Sequence, residues 1–252
     1  MKAFSLADRA ALVTGSSQGI GFAIANGLRE AGARVVFHGL PARAENIPPG
    51  SSYLSADLTQ PDAPSQLVSA AFEAEPRLDT LVCNAGSFFD VPFLEMTREL
   101  FEKTIQLNVT ATYFIAQEFS RRLVAAKRGG CVVVTTSTNG FQAEAGSTAY
   151  DTSKGALVML VRTLAVSLAP HGIRVNGIAP GLIKTPLNEQ WLESREGGLV
   201  AHYEKKILLG RIGKPADCAG AVVFLCSSAA SYITGEIITI DGGLTVQQIG
   251  KM

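Results

Sequence analysis

Short apolar runs alternate along this chain with longer segments in which apolar residues recur at every third or fourth position. Runs of about four to eight apolar residues are typical of buried strands, and helical spacing is typical of amphipathic helices. The runs predict strands at residues 10–14, 34–38, 52–56, 80–83, 131–135, 173–179 and 237–240. Strands that alternate with helices form a parallel sheet with helices on both faces. We therefore predict an α/β fold with a doubly wound, mostly parallel sheet of about seven strands.

The helices between the strands are predicted from their apolar stripes and from the residues at their ends. The first helix ends at Gly32, and glycine is the preferred residue beyond a helix C-terminus. A long helix is predicted from about Arg98 to Ala125, and a second long helix follows Tyr150. Pro215 opens a further helix, as proline does in a first helical turn.

No internal repeat, linker or low-complexity tract divides the chain, so residues 1–252 are predicted to form a single domain. Residues 184–210 are the one long segment without clean periodicity. Long functional loops of this kind commonly close over ligands, so we predict a mobile substrate lid. Its polar residues suggest a hydroxylated substrate: Asn188, Glu189, Gln190, Glu193 and Arg195.

Composition narrows the function classes. Lysine plus arginine and aspartate plus glutamate both number 22, so no net basic field attracts nucleic acid or an anionic membrane. Unbroken apolar runs are too short to span a bilayer, and the N-terminus lacks the apolar core of a signal peptide. The cysteines and histidines have no metal-ligand spacing, so no metal is expected. The four cysteines are interpreted as buried thiols of a cytoplasmic protein.

Candidate chemistry begins with Tyr150 and Lys154, four positions apart at the start of one predicted helix. Side chains at this spacing share a helix face. A phenol has a reference pKa near ~10, and a neighbouring ammonium is expected to lower the pKa of Tyr150. Ser137, at the end of the preceding strand, could hold a substrate oxygen. The three residues would supply a general acid/base, a cation that tunes it and an orienting donor.

A glycine-rich turn follows the first strand and opens the first helix. Gly15, Gly19 and Gly21 lie in the order G-x-x-x-G-x-G. Glycines let the backbone approach a pyrophosphate, and the helix N-terminus offers free N–H groups to it. This context predicts a phosphate-binding turn, although a tight turn without a ligand is the alternative interpretation.

With these motifs in order, the chain resembles the short-chain dehydrogenase/reductases over nearly its whole length. Residues 14–21 look like the cofactor turn of that family, and Asp57, after the third strand, looks like the acid whose side chain meets the adenine. Residues 83–86 are similar to the family's Asn-Asn-Ala-Gly segment, with Cys83 at the first asparagine. Ser137 and Tyr150 are separated by the usual thirteen positions. Residues 241–243 resemble its C-terminal Asp-Gly-Gly turn. The resemblance implies a Rossmann-type fold.

The resemblance also implies the roles of individual residues. The catalytic residues would be Asn108, Ser137, Tyr150 and Lys154. Tyr150 would exchange a proton with the substrate oxygen, Lys154 would also hold ribose hydroxyls, and Asn108 would anchor a water linked to Lys154. Asn108 could instead be a helix-interior residue that bonds a carbonyl. The implied cofactor contacts are Gly15, Ser17, Gln18, Gly19, Ile20, Gly21, Gly39, Leu40, Asp57, Leu58, Asn84, Ala85, Gly86, Tyr150, Lys154, Pro180, Gly181, Ile183 and Thr185.

The choice between NAD(H) and NADP(H) depends on the residues that face the adenosine ribose. An acid there binds the 2′-hydroxyl, and an arginine binds a 2′-phosphate. The corresponding positions are Gly39, Leu40 and Gln18, which carry neither group, and Arg43 is the nearby cation. Because a phosphate against Leu40 would lose solvation without a partner, we favour NAD(H), with NADP(H) possible and discrimination below about 100-fold.

The expected function is hydride transfer between a nicotinamide cofactor and an alcohol or carbonyl carbon of a small hydroxylated substrate, such as a sugar, a polyol or a hydroxy or oxo acid. The alternatives are a 3-oxoacyl-type reductase and a catalytically silent cofactor-binding protein. A methyltransferase on a similar sheet would leave the Tyr150 and Lys154 pair without a purpose. Candidate pocket residues are Phe88, Phe89, Phe141, Gln142 and 188–191.

We expect no nucleic acid or membrane partner and predict a homotetramer. The long helix through Asn108 and the helix that follows Tyr150 each carry more apolar residues than one sheet face needs, and Val158, Met159 and Leu160 extend beyond the core stripe. The family resemblance also points to a closed symmetric oligomer.

Overall fold

The computed structural model describes residues 2–41, 46–194 and 198–246. Its sheet has seven strands, all parallel, in the order β3-β2-β1-β4-β5-β6-β7. The strands are β1 Ala10–Val13, β2 Arg34–Gly39, β3 Ser52–Ser55, β4 Thr80–Cys83, β5 Gly130–Thr135, β6 Ile173–Pro180 and β7 Ile237–Ile240. Every predicted strand is present, with ends that differ from the prediction by at most one residue.

Helices cover both faces of the sheet. They are α1 Gly19–Glu30, α2 Ala63–Ala74, α3 Arg98–Ile105, α4 Ala111–Ala125, α5 Thr148–Leu168, α6 Glu189–Ser194, α7 Gly198–Lys206 and α8 Ala216–Cys226. Helices α1 and α8 pack against each other on one face, over a core that includes Phe37 and Ile178. Helices α2, α4 and α5 cover the other face, over a core that includes Phe119 and Leu81.

The order of the strands reverses between β1 and β4. The chain runs outward from β1 to β3 on one side and from β4 to β7 on the other. In such sheets, ligands bind beyond the carboxyl ends of the strands at this switch point. The turn after β1 and the segment after β4 therefore lie side by side where a dinucleotide is expected.

The predicted long helix from Arg98 to Ala125 is interrupted. A π turn at Gln106–Thr110 separates α3 from α4. Such turns are frequent at functional sites, and this one contains the buried Asn108.

By length and apolar composition alone, one helical stretch among the described residues, Thr148–His171, could cross a membrane. This stretch contains polar residues that interrupt its apolar runs, so it could not be identified from unbroken apolar runs in the sequence. Residues of α5 such as Leu157 and Val161 belong to the core under the sheet.

Two sequence-based interpretations of α5 and the cysteines have different outcomes. Val158 and Leu160 are buried against the core, so the expectation that they extend beyond it is wrong. Met159 alone of these three is exposed. The four cysteines, Cys83, Cys131, Cys218 and Cys226, are buried free thiols, as predicted.

Candidate active site

The predicted catalytic residues meet beyond the carboxyl ends of β4 and β5. Ser137 follows β5, and Tyr150 and Lys154 lie in the first turns of α5. The Ser137 side chain is hydrogen-bonded to Tyr150. The Lys154 ammonium lies over the Tyr150 ring, with Nζ 5.4 Å from the ring centroid. The hydroxyl, the phenol and the ammonium are thus adjacent, as their spacing in the sequence predicts.

The charge state of this group differs from the expectation. Burial raises the pKa of Tyr150 to about 12, and the bond from Ser137 opposes this only in part. Burial also lowers the pKa of Lys154 to about 8, and its Nζ donates a 3.1 Å bond to the Thr135 carbonyl oxygen. The pKa of Tyr150 is therefore raised and not lowered as expected, because burial is the dominant cause.

Asn108 is fixed by three hydrogen bonds. Its Nδ2 donates to the Ser87 carbonyl oxygen and to the Ser153 hydroxyl, both at 2.9 Å, and its Oδ1 accepts from the Ser87 N–H at 3.0 Å. The Ser153 hydroxyl in turn donates to the Tyr150 carbonyl oxygen at 2.7 Å. Asn108 therefore links the segment after β4 to the first turn of α5, so it bonds a carbonyl as the alternative interpretation held.

Asp90 holds the N-terminus of α5 from the segment after β4. Its carboxylate accepts from the Tyr150 N–H at 3.2 Å and from the Ser147 hydroxyl at 3.4 Å. Burial raises the pKa of Asp90. Phe88 packs edge-on against the Tyr150 ring, with the centroids 6.3 Å apart. Together these contacts fix the position of the phenol.

The glycine-rich turn has the geometry of a phosphate site. Gly15 has a φ of 62°, in the left-handed region, and a methyl group there would lie 2.8 Å from the Ala85 Cα. A methyl group on Gly19 would lie 3.7 Å from the Thr185 side chain. The first turn of α1 contains no acidic residue, and its leading N–H groups have no partner within the helix. This cradle fits the pyrophosphate of a dinucleotide.

Side chains from two strands hold the turn in place. The Thr14 hydroxyl accepts from the N–H groups of Asn84 and Ala85, both at 3.0 Å. The Asn84 Nδ2 donates to the carbonyl oxygens of Thr14 and Gly15 at 3.2 and 3.1 Å. Gly86 lies next to Asn108 and Lys154. The segment after β4 thus connects the predicted cofactor turn to the catalytic group.

The predicted adenosine end lies beyond β2 and β3. Leu40 is 68 % exposed, and a methyl group on Gly39 would lie 2.6 Å from the Ser17 side chain and 2.7 Å from the Tyr53 Oη. Asp57 is exposed, and hydrogen bonds from Thr59 lower its pKa. Gln18 is also exposed. Arg43 lies outside the described residues.

Other predicted cofactor contacts follow β6. Pro180 ends the strand, and Gly181 packs directly against Asp241. The Ile183 side chain is buried and contacts Gly213. Leu58 is buried in the core as well. Since the Ile183 and Leu58 side chains point into the protein, contact with a cofactor there would fall to their backbone.

The predicted lid contains α6 and α7. Leu192 and Ile207 are buried, and the Tyr203 hydroxyl donates a 2.8 Å bond to Glu144, across the site from the lid. Asn188 binds within its own loop, where its Oδ1 accepts from the Thr185 N–H at 2.8 Å. The Trp191 side chain and Arg195 lie outside the described residues.

The candidate pocket residues divide between different places. Phe88 contacts Tyr150, whereas Phe89 lies under the Lys103 ammonium, 4.4 Å from Nζ to the ring centroid. Phe141 and Gln142 line a separate cavity of about 400 Å³, whose lining includes neither Ser137 nor Tyr150.

Several residues that hold the site were missed from the sequence: Thr14, His38, Asp90 and Ser153. Thr14 and Ser153 lie inside the recognised motifs, so the motifs could have identified them as site residues. Asp90 carries no local pattern that marks it. Within the described residues, no group of three or more histidine, cysteine, aspartate or glutamate side chains could hold a metal ion.

Comparisons with known proteins agree with this geometry. A family model described as enoyl-(acyl carrier protein) reductase matches residues 15–245. The L-rhamnose 1-dehydrogenase (NAD(P)(+)) of Azotobacter vinelandii is 38 % identical over 256 aligned positions, covering 96 % of this chain and 98 % of the relative. The 3-oxoacyl-(acyl-carrier-protein) reductase of Aquifex aeolicus is 36 % identical, covering 95 % and 98 %. A crystal structure of gluconate 5-dehydrogenase from Burkholderia cenocepacia, in complex with NADP and tartrate, has a TM-score of 0.89 at 28 % identity, covering 98 % and 99 %.

Proposed function

The chain belongs to the short-chain dehydrogenase/reductase family, and on that premise we propose that it oxidises a neutral polyhydroxylated substrate, such as an aldose, at a CH–OH carbon. It is an NAD(P)-dependent oxidoreductase that acts on CH–OH groups. What remains to propose is the substrate, the preferred nucleotide and the assembly.

The charges around Tyr150 carry the substrate proposal. The charged groups that act most strongly on the phenol are the carboxylates of Asp151, Asp90 and Glu144. Glu144 also accepts hydrogen bonds from Asn139 at 3.2 Å and from Tyr203 at 2.8 Å. Carboxylates and amides are suitable partners for sugar hydroxyls, and the carboxylates also repel an anionic substrate. A neutral sugar or polyol is therefore a better match than a sugar acid for the carboxylates around Tyr150.

The reaction needs the phenol to accept a proton from the substrate hydroxyl. The bound nicotinamide nucleotide supplies the hydride acceptor and a positive charge. Ser137 would donate a hydrogen bond to the substrate oxygen, and Tyr150 would take its proton. Burial raises the pKa of Tyr150 to about 12 and lowers that of Lys154 to about 8, so it disfavours the charged form of both groups. Formation of the phenolate that accepts the substrate proton therefore requires a protonated Lys154 and further positive charge nearby.

A 3-oxoacyl carrier-protein substrate is the second candidate, and the relative from Aquifex aeolicus favours it. The phosphopantetheine arm and carrier protein of such a substrate are anionic. The carboxylates near Tyr150 make this candidate less suitable. The adjacency of Ser137, Tyr150 and Lys154 argues against the alternative of a catalytically silent protein.

A substrate panel with one active-site variant tests these candidates. We expect NAD(P)⁺-dependent absorbance change with neutral aldoses, and weaker activity with the corresponding aldonic acids. Tyr150→Phe should lower kcat by at least about 100-fold, the usual contribution of a general acid/base, without loss of fold. Near wild-type kcat in Tyr150→Phe would refute the mechanism, and a preference for long-chain acyl substrates would refute the substrate class.

We propose NAD(H) as the slightly preferred nucleotide, with NADP(H) also accepted. The ribose corner at Gly39, Leu40 and Ser17 presents no charged side chain among the described residues that form it. A site without an acid or an arginine discriminates weakly between the two nucleotides. The relative from Azotobacter vinelandii is named for both.

We also propose a homotetramer in the cytoplasm. Met159 and Val166 of α5 are exposed apolar residues that an assembly could cover. The four free thiols suit a reducing compartment.

A further inference from the structure

His38 lies directly beneath the glycine-rich turn. It is the penultimate residue of β2 and is 2 % exposed. The residues that carry the turn follow the neighbouring strand β1, so the ends of two adjacent strands meet at this side chain.

Both nitrogens of the His38 ring have a backbone partner. Nδ1 accepts from the Gly15 N–H at 3.0 Å. Nε2 lies 3.2 Å from the Ala56 carbonyl oxygen, to which it must donate. Only the neutral tautomer with its hydrogen on Nε2 satisfies both contacts. Burial lowers the pKa of His38 to about 4, which keeps the ring in that neutral form.

The His38 backbone binds the next residue of the same turn. The Ser16 N–H donates to the His38 carbonyl oxygen at 2.7 Å, and the His38 N–H donates to the Ser16 hydroxyl at 2.9 Å. The N–H groups of Gly15 and Ser16 therefore point into the protein. The N–H groups that follow, in the first turn of α1, are left to face an anion.

The second partner of the ring lies at the other end of the cofactor site. Ala56 immediately precedes Asp57, the predicted contact of the adenine. One imidazole thus contacts both the pyrophosphate turn and the segment before Asp57, and its bond with the Gly15 N–H is the contact that orders the turn. We propose that His38 is a positioning residue for the adenosine diphosphate half of the nucleotide. This inference rests on the family's nicotinamide nucleotide and not on the proposed substrate.

Matched substitutions can separate the two ring contacts. In His38→Asn, the amide oxygen occupies nearly the position of Nδ1, so it can still accept from Gly15. In His38→Gln, the amide nitrogen reaches about as far as Nε2, so it can donate to Ala56 but leaves the Gly15 N–H without its acceptor. His38→Leu removes both contacts. A buried donor without a partner is costly, so the turn should loosen in the last two variants.

The primary measurement is nucleotide affinity without turnover, from fluorescence titration with NADH and with NADPH. We expect His38→Gln and His38→Leu to raise both dissociation constants about tenfold, because the pyrophosphate is common to both nucleotides. His38→Asn should stay within about threefold of wild type. Exchange of amide hydrogens in residues 14–21 should accelerate in the Gln and Leu variants. The KM for substrate and the kcat at saturating nucleotide should change little.

Asn176→Leu is the matched control for a general loss of stability. Asn176 is also fully buried, and it bridges the Ile233 carbonyl oxygen at 2.9 Å and the Glu236 N–H at 3.1 Å, at the β6 and β7 side of the sheet. It should lower the melting temperature without a change in nucleotide affinity. Wild-type affinity in His38→Gln and His38→Leu would overturn the proposal, as would equal losses in the Asn and Gln variants or in the control.

A measurement on the wild-type protein covers the case in which the variants do not fold. Long-range ¹⁵N correlation spectra of the three histidines report tautomer and charge. We expect the His38 ring to be neutral with its hydrogen on Nε2 at neutral pH, and the Gly15 amide to exchange slowly. A charged ring, or an Nδ1–H tautomer at His38, would refute the proposed contacts.

Discussion

The Lys154 residue is only 5 % exposed, so its ammonium group is buried beside the Tyr150 phenol. Burial lowers the pKa of Lys154 from 10.5 to about 8. The charged form is therefore less favourable in the folded chain than in the unfolded one. The folded state binds fewer protons between about pH 8 and 10.5, so stability rises with pH through this window.

Replacing Lys154 with an apolar residue should stabilise the chain and abolish its activity. At neutral pH the shift corresponds to about 3 kcal/mol, and loss of the bond to the Thr135 carbonyl oxygen offsets part of it. We expect Lys154→Met to raise the free energy of unfolding by about 1–2 kcal/mol, as measured in urea without nucleotide. Lys205→Met, at an exposed lysine of α7, is the control and should change little. A less stable Lys154→Met would contradict the assigned cost of burial.

Gly39 shows why nucleotide preference is difficult to alter at this corner. An acid at this position would be the usual route to NAD(H) specificity. A Cβ there would meet the Ser17 side chain at 2.6 Å and the Tyr53 Oη at 2.7 Å. Tyr53 is itself held by a 2.7 Å bond to the Pro41 carbonyl oxygen. The side chain would have to displace this packed group before it reached the ribose.

We expect Gly39→Asp to reduce kcat/KM for NAD⁺ as well as for NADP⁺, by about tenfold or more for NAD⁺, because overpacking costs roughly 1–3 kcal/mol. The ratio should still move toward NAD⁺, since the carboxylate repels a 2′-phosphate. Gly39→Ala separates the two effects: it should weaken both nucleotides equally. Steady-state kinetics with each nucleotide test this expectation. An unchanged KM for NAD⁺ in Gly39→Ala would show that the Ser17 and Tyr53 side chains move aside at little cost.

At the scale of elements, the strands were the most predictable part of the fold. Most are runs of apolar residues that end at a polar or glycine-rich segment, and burial on both sheet faces makes such runs distinct. The edge strand β3 is the exception, because it has serine at both ends and contains no buried residue. The helix from Arg98 was predicted as continuous because one extra residue in a π turn hardly alters an apolar stripe. Only the bonds of Asn108 to Ser87 and Ser153, which are remote in sequence, mark the turn.

The candidate site, like the fold, was predictable only in part. Ser137, Tyr150 and Lys154 could be placed together because two of them share a helix face and the third ends the adjoining strand. The contacts of His38 and Asp90 depend on which strand ends are neighbours, which a local pattern does not contain. The raised pKa of Tyr150 depends on burial, so the spacing to Lys154 alone gave the wrong direction.

The N-terminus of α5 illustrates how one element depends on another. Within α5 itself, Ser147 makes no side-chain capping bond, and the Asp90 carboxylate accepts from the Tyr150 N–H instead. A negative charge is favourable at a helix N-terminus. The same charge raises the pKa of Tyr150, which opposes loss of its proton.

Asp90→Asn should therefore shift the pH dependence of alcohol oxidation. The amide oxygen can still accept from the Tyr150 N–H, while the charge is lost. Removal of a like charge favours the phenolate, so the acidic limb of log kcat/KM should move to lower pH. Glu30→Gln, at an exposed acid at the end of α1, is the control and should leave the profile in place. A profile of Asp90→Asn that superimposes on that of the wild type would rule out the influence of this carboxylate.

At the scale of the whole molecule, the outer face of α5 carries apolar residues that the chain's own core does not cover. Leu157, Val158, Leu160 and Val161 are buried in the chain's own core. Met159 and Val166, seven positions apart on the same helix face, are 55 % and 78 % exposed. The first four residues are covered within the chain, so Met159 and Val166 are the residues of α5 that an assembly would cover, and the exposed Tyr113 and Phe114 of α4 are further apolar residues of this kind.

If α5 packs against a second copy, a charge at Val166 will separate the copies. In a monomer, Val166→Glu would replace one exposed side chain by another and should change stability by no more than about 0.5 kcal/mol. In the proposed homotetramer it would bury an unpaired carboxylate, which is costly, so the assembly should dissociate. Light scattering at micromolar concentration should give four times the chain mass of 26.5 kDa for the wild type and a smaller mass for the variant. Leu94→Glu, at a residue 95 % exposed outside α5, is the control that should keep the wild-type mass. A wild-type protein that scatters as a monomer would refute the assembly, and a tetrameric Val166→Glu would place the contact on another face.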